Sequence, residues 1–196
     1  MRDKQLGSPK WIIAFLGNPG DQYRFTRHNA GWLACEAMIF KHKIKINRIK
    51  FKSLTGIAEL AGEKVLFIKP QTFMNLSGEA VAPAAAFYKI KREHIIVIHD
   101  DIALPLGKLR IKRGGSDGGH KGVKSLIESL GGDDFPRIKI GVGSPPVPEF
   151  DRIDWVIGKM TSEELKHLDT AAGLAADAAE EIIRSGPDSA MNKYNS

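Results

Sequence analysis

Four polar residues stand just past the ends of apolar, strand-like runs. Asn18 and His28 follow the run from Trp11 to Gly17, Asn75 follows Val65-Leu66-Phe67-Ile68, and Asp100 follows Ile95-Ile96-Val97-Ile98-His99. In α/β proteins ligands bind outside the carboxyl ends of the strands, so these runs would bring the four residues to one rim. Histidine suits the removal of a proton from water at neutral pH, since its unperturbed pKa is about 6.5. A carboxylate that accepts the ring's other N–H fixes the tautomer and stabilises the imidazolium. His28 is therefore the candidate base and Asp100 its candidate partner. An asparagine amide both donates and accepts, matching the C=O and N–H of a peptide backbone, a role open to Asn18 and Asn75. The chemistry so defined is attack of an activated water on an acyl group. No Gly-x-Ser-x-Gly elbow supplies a protein nucleophile. Cys35, beside Leu33, Ala34 and Ala37, reads as core.

Plainer readings stand beside these. His28 alone could be a loop histidine, Asn18 a turn residue before Pro19-Gly20, and Met74 a core filler. Asn75 could cap the helix that opens at Ser77-Gly78-Glu79. No pair among His28, His99, Asp100 and His120 has the short spacing typical of zinc sites, so no metal is expected. The stretch Gly114-Gly115-Ser116-Asp117-Gly118-Gly119-His120-Lys121-Gly122 is neither a Walker loop nor a dinucleotide fingerprint, and no nucleotide cofactor is expected. Its glycines expose backbone N–H groups and permit close approach by a bulky ligand.

The elements that must position these residues follow from the hydrophobic pattern. Trp11 to Gly17 reads as a buried strand, with a helix starting near Asn29. Leu54–Leu60 and Val65–Lys69 form a hairpin, and a second helix runs from about Ser77 to Lys89, with Pro83 threatening a kink. Further strands cover Ile95–His99, Lys108–Arg113 and Arg137–Gly143. A third helix covers Lys121–Leu130, Ser144–Arg152 is a loop, and Ser162 caps a last helix reaching about Ser185. Strands alternating with helices predict an α/β single-domain three-layer sandwich, and the hairpin makes its sheet mixed. One domain is expected over residues 1–196, with 1–10 a flexible extension.

With 196 residues and 42% apolar side chains the chain can build a core. It has no apolar run long enough to span a bilayer and no secretory signal at Met1–Lys10, which makes the cytoplasm the expected location. The net charge of +6 favours a polyanionic partner. In the strand-like run, Lys108, Arg110 and Lys112 would share one face while Leu109 and Ile111 turn to the core.

Gly17-Asn18-Pro19-Gly20, Thr26-Arg27-His28-Asn29, Thr72-Phe73-Met74-Asn75-Leu76-Ser77-Gly78, His99-Asp100-Asp101 and Gly118-Gly119-His120 together resemble the bacterial-type peptidyl-tRNA hydrolase family along nearly the whole chain. The resemblance implies a monomeric, cofactor-free α/β esterase that cleaves the bond between a peptide's C-terminus and the 3′-terminal ribose of tRNA. It assigns His28 as base and Asp100 as its support. Asn18 and Asn75 are given to the peptide, Met74 and Tyr23 to the walls of the site, and Lys112 and Lys139 to the 5′ phosphate of tRNA. The chain departs from the pattern at Lys121, where an asparagine commonly follows Gly-Gly-His. Lysine donates but cannot accept, and it is kept as a substrate-binding residue. The alternative is a non-catalytic RNA-binding protein of the same fold. The polar quartet argues against it and Lys121 alone argues for it.

Overall fold

The computed structural model describes residues 7–147 and 149–195. Seven strands form one sheet in the order β2-β3-β4-β1-β5-β7-β6. They are β1 (Trp11–Phe15), β2 (Arg48–Lys50), β3 (Ser53–Leu60), β4 (Glu63–Pro70), β5 (Ile95–Asp101), β6 (Leu109–Lys112) and β7 (Arg137–Gly141). The helices are α1 (Ala30–His42), α2 (Gly78–Tyr88), α3 (Lys121–Leu130), α4 (Arg152–Ile157), α5 (Ser162–Ser185) and α6 (Pro187–Tyr194). The core strands β4, β1, β5 and β7 are parallel, while β2 and β3 on one side and β6 on the other pair antiparallel. The sheet is thus mixed, as the hairpin implied.

Alternate residues of the central strands feed two cores. Ile13, Phe15, Phe67, Ile96 and Ile98 pack with Ala34 and Met38 of α1 and with the alanine-rich face of α5. Ile12, Ala14, Leu66, Ile68 and Val97 pack with Val81 and Ala84 of α2 and Val123 and Leu126 of α3. A strand buried on both faces has to be apolar at every position, which is why these strands read as continuous hydrophobic runs. The chain leaves β1 for its neighbour β4 on one side and later returns to β5 on the other. The reversal opens a crevice at the carboxyl ends of β1 and β5, the position where such sheets bind ligands. Gly31, at the start of α1, fits that crevice because a Cβ there would run into the carbonyls of Leu16 and Ile98.

Several boundaries differ from expectation. Three elements escaped the pattern: β2, too short to show a period, α4, which begins at the last residue of the expected proline loop, and α6, which starts with Pro187 in its first turn. The cap of α5 is Thr161, not Ser162. Its side chain accepts from Glu164 N while the Glu164 carboxylate accepts from Thr161 N, a complete capping box. Helix α2 runs through Pro83 without a break. Ser77 occupies its N-cap position, but the hydroxyl donates to Met74 O instead of capping. Of the expected flexible extension, residues 1–6 lie outside the described residues, whereas Lys10 already pairs with the Lys64 carbonyl.

The two sheet edges differ in how they are protected. On β6, Asn195 accepts from Ile111 N at 2.6 Å and donates to Ile111 O at 3.0 Å, standing in for a neighbouring strand. The opposite edge, β2, is three exposed residues carrying Arg48 and Lys50. Short, charged or covered edges resist edge-to-edge association. No helix among the described residues is long and apolar enough to cross a membrane.

Candidate active site

A cleft of about 730 Å³ opens at the crevice. His28 and Asp100 meet at its floor. His28 sits in the 3-10 turn between β1 and α1, and Asp100 is the next-to-last residue of β5. His28 Nδ1 lies 2.9 and 3.0 Å from the two carboxylate oxygens. Burial of Asp100 would raise its pKa, but the facing His28 and His120 imidazoles and their hydrogen bonds hold the carboxyl well below the usual carboxylate range. An ionised Asp100 requires the proton on Nδ1, leaving Nε2 of His28 as the basic lone pair of a residue that lines the cleft. Burial pulls the His28 pKa down. The carboxylate, by charge and hydrogen bond, outweighs it, so the net shift is upward, with Lys121 opposing.

A second histidine shares the carboxylate. His120 caps α3 by accepting from Val123 N at Nδ1, which leaves its Nε2–H to donate to Asp100 Oδ1 at 2.9 Å. Behind it, His99 donates from Nδ1 to the Asp100 carbonyl at 2.7 Å and packs edge-on against the His120 ring. Burial above all, and the neighbouring His120, push the His99 pKa well below its ordinary value, so it is neutral. His28, Asp100 and His120 together present three possible ligand atoms within 4.8 Å, a cluster that spacing along the chain did not reveal. In the observed geometry both ring N–H groups are directed at Asp100, so an ion there would have to displace two protons.

Asn18 is held on three sides. Its Oδ1 accepts from Met74 N at 2.8 Å, while its backbone N and O are bonded by Oδ1 and Nδ2 of Asn29, at 2.7 and 3.1 Å. The amide oxygen is therefore turned toward the Met74 backbone, while the Nδ2 donors of Asn18 bond no described residue. Asn75 lines the same cleft from the 3-10 turn after β4, and its exposed side chain makes no hydrogen bond to any described residue. It is not the cap of α2, so the capping alternative does not hold it. Met74 is both wall and core: it lines the cleft and packs against Leu16, Val81 and Val123 in the second core. It can do so because residue 122 is glycine; a Cβ there would collide with its sulfur.

The other expected residues are more spread out. Tyr23 is not in the lining but stands edge-on behind Phe73, which is, with 6.5 Å between ring centres. Lys121, the first residue of α3, lines the cleft and is exposed. Lys139 also lines it, but its ammonium is ion-paired with Asp101. Lys112 lies outside the lining, exposed on β6. Lys108, Arg110 and Lys112 do alternate outward with buried Leu109 and Ile111, and Arg110 stands directly opposite Lys139 in the ladder. The row and Lys139 therefore share one face of the sheet. Cys35 is buried and its thiol pushed up to about 12 by that burial, which fits core and not nucleophile.

Sequence reasoning missed Asn29, the sharing of Asp100 by His120, and the whole of α4, whose Arg152, Ile153, Val156 and Ile157 close the cleft on its far side. A signal for α4 existed. Asp151 accepts from the N–H groups of Ile153 and Asp154, an N-cap followed by an apolar run.

Fold and site together define an α/β protein with a buried carboxylate–histidine pair at the switch point of its sheet. The profile of the peptidyl-tRNA hydrolase family matches residues 12–196. A peptidyl-tRNA hydrolase of Caldanaerobacter subterraneus is 48% identical over 185 residues, covering 94% of this chain and 99% of that one. One of Clostridium perfringens is 45% identical over 184 residues, covering 94% and 96%. The crystal structure of peptidyl-tRNA hydrolase from Acinetobacter baumannii superposes with a TM-score of 0.88 at 35% identity, covering 95% of this chain and 94% of that one. The chain belongs to the peptidyl-tRNA hydrolase family.

Proposed function

We propose that this chain hydrolyses the ester between the C-terminus of a peptide and the 3′-terminal ribose of tRNA, releasing both. The observation that carries the reading is the orientation of His28: Nδ1 is bound to a buried, ionised Asp100, and Nε2 belongs to a ring that lines the cleft. A water hydrogen-bonded to Nε2 loses its proton as it attacks the ester carbonyl, and Asp100 stabilises the imidazolium that forms. The Asn18 Nδ2 donors face the developing oxyanion, because the bond from Met74 N fixes which way the amide points. Asn75, with both amide atoms free, binds the peptide backbone, and Met74 and Phe73 form the wall beside it, backed by Tyr23. Lys121 donates to the acceptor end. The proton on His28 then passes to the leaving ribose oxygen.

The tRNA stem lies along the basic face of β6 and β7, where Lys112 and Lys139 meet the 5′ phosphate. Lys139 exchanges Asp101 for phosphate when it does so. This contact is electrostatic and largely independent of base sequence. The chain acts as one hydrolase domain and as a monomer, a reading supported by the Asn195 clamp on one sheet edge and the shortness of the other, in the cytoplasm where translation supplies the substrate.

The test is release of N-acetylaminoacyl groups from tRNA by the purified protein, beside tRNA charged with the same amino acid carrying a free α-amine. Selective hydrolysis of the acetylated substrate is expected. Tight tRNA binding with no release would overturn the reading in favour of a non-catalytic RNA-binding protein.

A further inference from the structure

Helix α4 closes the cleft, yet it has six residues and none of them is buried. Isolated helices that short do not persist in water, so contacts outside α4 must hold it. Its Asp151 cap is local, and Trp155 Nε1 donates to Gly143 O at 2.8 Å. Phe150 packs edge-on against the Trp155 ring, and a further hold comes from the residue before the candidate base. The Arg27 guanidinium carbon lies over the Trp155 ring, 3.6 Å from its centre. One nitrogen reaches toward Gly158 O at 3.5 Å, where α4 ends, and another pairs with Glu164 of the α5 capping box. Around it, Thr26 bridges Lys159 and Met160 N donates to Phe25 O at 3.0 Å. A planar fork that stacks and hydrogen-bonds at once is specific to arginine.

The surface thus held is apolar. Ile153, Val156 and Ile157 line the cleft, with Ile153 48% and Ile157 38% exposed. The same cleft is lined by Asn18, His28, His120 and Lys121. A cleft that combines these polar groups with an aliphatic helix face fits an amino acid whose backbone and ester meet the former and whose side chain meets the latter.

We propose that Arg27 is a positioning residue that holds α4 over the cleft, and that the apolar face of α4 receives the side chain of the peptide's C-terminal residue. The inference rests on the hydrolase reading above. It makes the enzyme favour large apolar C-terminal residues, through KM.

The experiment compares N-acetyl-leucyl-tRNA with N-acetyl-glycyl-tRNA in wild type, Ile153→Ser/Ile157→Ser, Arg27→Ala and Arg27→Lys, measuring kcat and KM separately. Wild type should show the lower KM for the leucyl substrate. The double serine variant should raise the leucyl KM about tenfold, equivalent to about 1.4 kcal/mol, and at least five times more than the glycyl KM. Arg27→Ala should reproduce that bias, and Arg27→Lys, which keeps charge but not the stacked fork, should not restore it. Equal rises in KM for both substrates would overturn the proposal, and would point to the terminal nucleobase as the group under α4. A fall in kcat without a KM bias in Arg27→Ala would also overturn it, making Arg27 a support of His28 alone. If Arg27→Ala melts at assay temperature, Trp155→Leu removes the same stack from the other side and is read by the same bias. Wild type that hydrolyses neither substrate would instead remove the hydrolase reading itself.

Discussion

Replacing Asp100 with asparagine changes one atom in a site whose shape is otherwise fixed, and its effect can be worked from the contacts. The carboxylate accepts from His28 Nδ1 through both oxygens and from His120 Nε2 through Oδ1. An amide has one accepting oxygen, so its NH2 must face an N–H. Turned toward the Oδ1 position it opposes both rings; turned toward Oδ2 it opposes His28 alone. The second is the better fit; His28 Nδ1 then faces the amide oxygen at the Oδ1 position and the NH2 at the Oδ2 position, so the hold on the productive tautomer is weakened and the tautomer with its proton on Nε2, which has no base for water, competes. Charge adds to this. With imidazolium and carboxylate centres about 4 Å apart, an effective dielectric of about 20 gives about 4 kcal/mol of transition-state stabilisation. Some of that survives as a neutral hydrogen bond, leaving a loss of about 3 to 4 kcal/mol, or a fall of roughly 10² to 10³ in kcat. KM should change little, because Asp100 is only 2% exposed. The pH profile supplies an independent check. Asp100 raises the His28 pKa against the pull of burial. Removing the anion lowers that pKa, so the acid limb of kcat/KM must move to lower pH even as the plateau falls. A kcat within about fivefold of wild type, or an acid limb that stays put or moves up, would refute the reasoning.

Two further outcomes test the neighbouring contacts. Asn18→Asp keeps the acceptor for Met74 N but replaces the Nδ2 donors with anionic oxygen where the oxyanion forms; single-turnover hydrolysis should slow by about 10²-fold or more, and an undiminished rate would remove Asn18 from carbonyl stabilisation. Lys112→Ala should weaken tRNA binding about equally across tRNA species and reduce the slope of log affinity against log salt by about 1. A slope equal to that of wild type would take β6 out of the tRNA interface.

The sheet was legible because its central strands are buried on both faces, which leaves an unbroken apolar run in the sequence. Helix α3 was legible to the residue, since Gly131 takes the left-handed conformation that ends it, at φ 70°. Elements whose stability comes from elsewhere were not. Helix α4 leans on Arg27 and Gly143, and α6 on the core packing of Ala190, Met191 and Tyr194 and the Asn195 clamp on β6. None of these partners lies within a window that a local pattern can sample. The same limit hid the Lys139–Asp101 pair. Alternation correctly turned Lys139 out of the core, but only the parallel register of β5 with β7 puts it beside the end of β5.

The His28–Asp100 pair spans 72 positions and was still found, because both residues sit at strand ends and strand ends converge. What converging strands could not reveal is how His28 is aimed. Arg27, His28 and Asn29 form one turn of 3-10 helix, all three buried. With about three residues per turn, consecutive side chains leave the axis about 120° apart. Arg27 therefore goes to Trp155 and Glu164, His28 to Asp100, and Asn29 back to the Asn18 backbone. Three contiguous residues secure three separate parts of the cleft, and the ring of the base is located by the two that flank it. In an α-helical turn the offset would be nearer 100°, a less even spread of the three side chains around the axis. The tighter turn suits so short a motif to three partners, and its contiguity follows from that geometry: inserting or deleting one residue would rotate His28 away from Asp100 even if every side chain were kept.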